Sequence, residues 1–403
     1  MQPSTRFIAL ANKNLRRFLT GQAISLTGTW MQSVAQGWLV YTLTKSPLSL
    51  GLVAVALSAP VLLFSLFGGV IADTIDRRRL LIMTQTLSIL PALLLAGLTL
   101  SGQITVGWIM ALAFLLGTVN AIELPARQAF LAELVTRSEL TSAITLHSVV
   151  FNATRIIGPI LAGFTIATAG LSVCFLINAI SFLAGIASLL LIPPQTSDCI
   201  GTKLRSSMLE GLREGVRYVA GERQISLIMV LVAVISLFGI PFVPMLPIFA
   251  DGILKVGPEG LGLLAGASGV GSLLAALLVA WQRVIHKKGR LMVAAGLLFA
   301  GCLFLFAHSR DYQSALLALL FTGAGMVCFL AMISCHLQHH CPEILRGRVM
   351  GVYTLVLIGM APFGHALMGF LAGAIGVSAA LSFGSAICGG VILASVRPLI
   401  RIN

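Results

Sequence analysis

No phosphate-cradling Walker loop occurs in the chain, and no nucleophile stands beside an identifiable base. The first absence excludes an ATP-driven pump, and the second leaves an enzyme without a site. Charge is equally scarce, at 10% of the 403 residues against 58% hydrophobic, where a soluble domain carries about a quarter charged residues. Lipid is therefore the expected solvent. The longest stretch outside the hydrophobic runs is 193–224, too short for the soluble domain of a membrane sensor. The cysteines, Cys174, Cys199, Cys302, Cys328, Cys335, Cys341 and Cys388, are odd in number, so structural disulfides are not expected.

What the chain does have is apolar length. A bilayer core of roughly 30 Å needs about 20 apolar residues per crossing, and the hydrophobicity divides into runs of that size. They are 18–42, 48–72, 80–100, 106–126, 143–168, 172–192, 225–250, 260–282, 291–309, 313–334, 349–373 and 376–396. Only helices satisfy the backbone of runs this long, because barrel strands span about 10 residues and alternate in polarity. The first run follows basic residues but is as long as a full crossing and shows no convincing cleavage site, so a retained helix is expected.

The net charge of +13 raises nucleic acid as a partner until its placement is considered. Of the 26 basic residues, only Lys45, Lys255 and Arg310 fall on one side of the twelve-crossing topology, and Arg155 falls inside a crossing. The rest gather on the other side, which the positive-inside rule makes cytoplasmic, together with both termini. The charge marks a membrane face, and no nucleic-acid partner is expected.

The expected organisation is an N-terminal six-helix bundle over 1–192, a cytoplasmic linker over 193–224 and a C-terminal six-helix bundle over 225–403. Within the linker, Leu209, Leu212, Val216 and Val219 recur at helical spacing, with Glu210, Arg213, Glu214 and Arg217 on other faces. That reads as an amphipathic surface helix or as a solvated tether. The second-to-third connection and the eighth-to-ninth, 280–290, are both short and basic. Matched loops in two halves fit a fold in which one bundle rocks against the other around a midplane site.

Several residues carry chemistry. Gly69 and Asp73 are followed by the basic cluster Arg77, Arg78 and Arg79, and Arg346-Gly347-Arg348 opens the eleventh crossing on the same side. If these ends meet, Asp73 faces a helix N-terminus and two guanidinium groups, forming a latch; otherwise they are topological charges. Gly158, Pro159 and Gly163 make a hinge or seal, or simply a kinked close-packed helix. Arg155 lies deep in a crossing, where an unpaired guanidinium costs at least roughly 2.5 kcal/mol. With Asn152 and Ser148 it forms a polar strip that lines an ion or substrate pathway, or it is a buried structural group. Glu123 is the one acidic residue within a crossing and is either a protonatable pathway carboxylate or half of a helix-end pair with Arg127. In the first crossing Gln32 is the cavity candidate and Trp38 an interfacial anchor. His336 and His340, flanked by Cys335 and Cys341, share a helix face, but the segment is also a helix end and no second ligand group is evident, so no metal is expected.

The Gly69, Asp73, Arg78 and Arg79 pattern resembles the signature loop of the major facilitator superfamily, with Thr74 where a basic residue is usual and Asp76 where a glycine is usual. Arg155 through Gly163 is similar to the glycine-proline motif of its antiporter branches. With Gly21-Gln22, Gly28 through Gln32, Pro125 through Phe130 and Arg346 through Met350, nearly the whole chain resembles the drug:proton antiporter branch that contains the enterobactin exporter and macrolide efflux proteins. The resemblance implies an all-α integral membrane fold of twelve helices in two pseudo-repeated bundles, and export of a siderophore or drug-like compound across a bacterial inner membrane. It implies the proton-motive force as energy source, no cofactor, and a monomer that works with outer-membrane efflux components. Uptake, lipid flipping and a non-transporting sensor are the competing expectations.

Overall fold

The structure, a computed structural model, describes residues 9, 11–193, 205–281 and 288–400. Residues 194–204 of the linker and 282–287 of the eighth-to-ninth loop, among them Arg283 and Lys287, lie outside the described residues.

Six long helices precede the linker: α1 (Lys13–Thr44), α2 (Pro47–Thr74), α3 (Arg77–Leu100), α4 (Val106–Glu133), α5 (Leu140–Ala169) and α6 (Leu171–Leu190). Their starts are written in the sequence. Asn12 accepts from the Asn14 and Leu15 amides at 3.0 and 3.1 Å, Ser46 accepts from Ser49 ahead of Pro47, and Asp76 accepts from Arg79 at 2.7 Å. Each satisfies amides that a helix start leaves open. Asp76, the departure from the signature loop, is thus the cap of α3.

After the linker helix α7 (Arg205–Gly221) the crossings are less regular. The seventh is α8 (Arg223–Val234), a π-turn at Ile235–Gly239, α9 (Phe242–Ile248) and a second π-turn at Phe249–Ile253. Then come α10 (Gly257–Trp281), α11 (Lys288–His308) and α12 (Tyr312–His340). The eleventh crossing is split into α13 (Glu343–Gly359) and α14 (Ala361–Ile375), and α15 (Val377–Ala394) with the short α16 (Val396–Ile400) ends the chain. Pro241 and Pro362 sit at the two interruptions, where a missing amide cannot continue the helix.

Eleven of the twelve crossings are apolar enough to span a membrane by length and composition, and α1 is the exception. Its polarity has a structural reason. Gln22, Ser25, Gln32 and Gln36 are all buried inside the protein, so α1 is the central helix of its bundle and meets little lipid. Its 32 residues still reach about 48 Å, enough to cross. Elsewhere large apolar side chains such as Leu100, Phe67, Phe164, Phe370 and Leu305 lie bare on the helix exteriors, as a lipid-facing surface requires.

Within the first half α1 packs on α5 and α6, α2 on α4, and α3 on α6; within the second, α10 and α11 pack on α12, and α11 on α15. The halves meet through α5 against α10 and α2 against α14. The linker helix α7 docks on α13. A Cβ at Gly215 would lie 3.0 Å from the Arg348 carbonyl, and Leu212 and Val219 pack into the core while Val216 is exposed. Trp38 is also buried in this core instead of standing at the lipid interface.

The repeat extends to the fifth and eleventh crossings. Leu161, Gly163, Phe164, Gly170 and Ser172 recur in the same register as Leu367, Gly369, Phe370, Gly376 and Ser378. Gly170 (φ +89°) and Gly376 (φ +88°) make the same left-handed turn from α5 into α6 and from α14 into α15. A side chain at either position would be strained.

Candidate functional site

Two seams close the face opposite the basic loops. On one, Gly163 of α5 lies against Gly262 of α10: a Cβ at Gly163 would sit 2.6 Å from the Pro258 carbonyl, and one at Gly262 would sit 3.1 Å from the Gly163 Cα. On the other, a Cβ at Gly51 of α2 would sit 2.6 Å from the His365 carbonyl and 3.0 Å from the Gly369 Cα of α14. Only glycines allow backbones to approach this closely. The rim of the same face is bridged by Lys45, after α1, whose ammonium donates to the Asp251 carboxylate at 2.5 Å. That hydrogen bond and the negative charge behind it raise the Lys45 ammonium above its ordinary value.

Beneath these contacts, between the bundles, lies a cavity of about 370 Å³. Trp30, Gln36, Val53, Ser58, Arg155 and Pro159 line it from the first half; Phe242, Pro244, Leu261, Ser268 and His365 are among those that line it from the second. The walls are mostly apolar. Arg155 is the fixed charge, its guanidinium 5.9 Å from the Trp30 ring, and no acidic side chain lines the cavity with it among the described residues. His365 is the other group that can carry charge, and its Nδ1 is buried without a hydrogen-bond partner.

Of the hinge residues, Pro159 lines the cavity, Gly163 builds the seam, and Gly158 lets α5 press on α1, where a Cβ would lie 2.5 Å from that of Trp30. Gln32 does not line the cavity. It accepts from the Asn178 amide at 2.7 Å inside the α1–α6 contact, while Gln36, one turn on, reaches the cavity wall. Asn152 also lies off the cavity, its amide donating to the Ser148 carbonyl of its own helix at 2.8 Å. Glu123 is buried and ion-paired with Arg127; it accepts from Gln85 at 3.3 Å, and Gln85 accepts from Ser25 at 3.2 Å. This network ties α1, α3 and α4 together and stands apart from the cavity lining; the Arg127 Nε is buried in it without a partner.

The expected latch is not made in this arrangement. Asp73 pairs with its helical neighbour Arg77 at 3.4 Å and is half exposed, and Arg77 also pairs with Glu133. Arg78 donates to the Leu189 and Leu190 carbonyls at 2.8 and 3.1 Å, and Arg348 pairs with Glu214 of α7. Arg79 is exposed, Arg346 has a buried Nε without a partner, and Gly69 lies in the wall of α2. The charges are held within their own half because the seams bring the halves together on the opposite face. His336 and His340 stack at 5.1 Å, and no three His, Cys, Asp or Glu side chains converge as a metal site among the described residues.

Two six-helix bundles facing each other across a central cavity define a membrane transporter of the major facilitator fold. Solved structures share it throughout: a D-xylose-proton symporter superposes with a TM-score of 0.77 at 14% identity, covering 98% of both chains. A bacterial homologue of ferroportin in an inward-facing state gives 0.68 at 16%, covering 96% of this chain and 98% of that one. The chain belongs to the major facilitator superfamily, in the family described as transmembrane secretion effector, which matches residues 4–401. Among its relatives are the staphyloferrin A transporter of Staphylococcus aureus, 26% identical over 89% of this chain and 90% of that protein, and the multidrug efflux pump Tap of Mycolicibacterium fortuitum, 26% identical over 87% of each.

Proposed function

We propose that this transporter exports a small amphipathic anion, a siderophore or drug-like compound, from the cytoplasm across a bacterial inner membrane by alternating access driven by the proton-motive force. The reading rests on Arg155. A guanidinium set in an apolar cavity with no carboxylate lining it among the described residues calls for a ligand that brings the missing negative charge. Trp30 beside it and the apolar walls suit the ligand's hydrophobic body.

The excess of basic residues supports a cytoplasmic loop face with both termini on the same side. On that orientation the packed glycine seams and the Lys45–Asp251 pair close the outer side, and the unmade Asp73 latch belongs to a carrier open inward. In the alternate state Asp73 and its basic neighbours meet the Arg346–Arg348 end of α13. One chain, with bundles over 1–192 and 225–403 joined by the 193–224 linker, encloses the whole cavity, so a monomer suffices, handing its cargo to outer-membrane efflux components. The names of the siderophore transporter and the efflux pump among its relatives support this cargo class and direction.

Transport in proteoliposomes tests the reading. Arg155→Ala is expected to lower transport of an anionic siderophore about tenfold or more, the loss of a charge-assisted contact, with partial retention in Arg155→Lys. Undiminished transport in Arg155→Ala would refute it, and a deletion strain that secretes as much siderophore as its parent would remove the siderophore from the cargo class.

A further inference from the structure

We propose that His365 is the proton-exchanging group of the cavity, and that an anionic cargo and a proton bind there together. The proposal rests on the reading of the cavity as an anion site. Within the cavity wall only Arg155 and His365 carry or can carry charge among the described residues. Histidine is the side chain whose ordinary titration falls near neutrality, and the His365 Nδ1 is buried with no partner. Glu123, the carboxylate that the sequence offered for this role, is committed to Arg127 and Gln85 inside the first bundle.

The surroundings of His365 set the sign of the coupling. Arg155 lines the same cavity. The nearby wall of α2, Leu50 to Ser58, holds no titratable side chain, and the first π-turn and α9 hold none. On α15 the Cys388 thiol donates to the Val234 carbonyl at 3.9 Å, and α13 presents the buried Tyr353. Asp251, on the outer rim, is taken by Lys45. Among the described residues no carboxylate lines the cavity to stabilise a protonated His365. An anion held by Arg155 brings the missing negative charge into the cavity and draws the proton on, so each ligand strengthens the other's binding.

The position of His365 connects this event to the outer seams. In the repeat it occupies the place of Pro159 in the first half, and both residues line the cavity. The Pro159 carbonyl abuts Gly262 and the His365 carbonyl abuts Gly51. The residue that changes charge is thus part of the backbone contact that must part for the outer side to open. The proton then leaves with the cargo against the pH part of the proton-motive force, so the driving part is electrical. A cargo with more than one negative charge still carries net negative charge outward after taking up one proton, which an inside-negative membrane potential favours.

The test uses the full chain in detergent with salicylate, an aromatic monocarboxylate, as probe. Calorimetry in two buffers of different ionisation enthalpy counts the protons taken up per salicylate bound between about pH 5 and pH 8. The wild type is expected to take up protons on binding, with affinity falling by up to about tenfold per pH unit as pH rises through the histidine range. His365→Gln should bind without proton uptake and with a flat pH profile, while Arg155→Lys keeps the pH dependence at lower affinity. Thermal unfolding of His365→Gln verifies its fold, and His365→Asn repeats the measurement. Proton uptake unchanged in folded His365→Gln, or wild-type affinity that rises with pH, would overturn the assignment and leave the anion reading standing. No Arg155-dependent binding of salicylate, with binding of the lipophilic cation tetraphenylphosphonium instead, would overturn both.

Discussion

The first half brings its chemistry to the cavity on continuous helices, and the second does so on broken ones. α1 and α5 run unbroken through the bundle and place Trp30, Gln36, Arg155 and Pro159, while the seventh and eleventh crossings are interrupted by π-turns and by the step at Met360 before they deliver Phe242, Pro244 and His365. The interiors differ in the same sense. Behind the first half's cavity wall lie the Ser25–Gln85–Glu123–Arg127 and Gln32–Asn178–Ser181 networks; behind the second lie Phe249, Phe299, Phe306 and Phe329. Hydrogen-bonded networks favour one arrangement, whereas apolar side chains slide over one another and broken helices bend where backbone bonds are missing. The difference assigns the first half the role of a rigid frame that carries the fixed charge, and the second the role of the part that changes shape.

The largest effect should come from breaking the frame. The Glu123 and Arg127 side chains are 3% and 11% exposed, so Glu123→Gln leaves a buried guanidinium without its counter-charge, at about 3–5 kcal/mol. The double change Glu123→Gln with Arg127→Gln should recover much of that. In the second half Ser272→Ala, which removes a hydroxyl bonded to the Ser268 carbonyl at 2.8 Å, should cost about 1 kcal/mol. Thermal unfolding in detergent gives the order, and equal losses in the two halves would break the contrast between frame and moving part.

The seams come next, and here the halves should behave alike. Gly262→Leu and Gly51→Leu each force a side chain onto backbone of the other half. Overpacking of this kind costs about 1–3 kcal/mol, all of it in the state with the outer side closed, which shifts the population toward the outward-open state about 5- to 150-fold. Gly373→Leu, where a Cβ meets nothing within 4 Å, is the control and should shift nothing. Distances between spin labels on the outer ends of α5 and α10 report the shift. A change in only one of the two seam variants would show that the seams open separately.

Most of this architecture was legible in the sequence, because apolar length and basic loops are one-dimensional signals that survive folding. Arg155 was legible for the same reason: a charge inside a crossing must be explained wherever it faces. Gln32 was misplaced by depth, which the helical pattern does not give: it shares a face with the cavity-lining Gln36 one turn on, but at its level that face meets Asn178 of α6. Asn152 shares a helix with Arg155, yet its short amide turns back onto the Ser148 carbonyl. The Asp73 latch depends on which side of the carrier is shut, and no sequence encodes the state in which it is viewed. His365 had a signal that went unread: the register of Gly163, Phe164 and Gly170 against Gly369, Phe370 and Gly376 places it opposite Pro159.

The smallest effect is the one at the rim, where the halves are joined by an exposed charge pair. Lys45 and Asp251 have side chains 58% and 35% exposed, so salt and water weaken the attraction between them. Since the carboxylate raises the Lys45 ammonium above its ordinary value, the pair's contribution is complete at neutral pH and is lost only as the pH rises through that raised value. Lys45→Met should therefore shift the outer ends of α1 and the second π-turn apart by a small population change at low salt, smaller still at high salt, and the wild type should approach the variant in strongly alkaline solution. The exchanged pair Lys45→Asp with Asp251→Lys should restore the wild-type distances. A Lys45→Met effect as large as that of Gly262→Leu would mean that the rim charges hold the outer side shut, with the glycine seams only following.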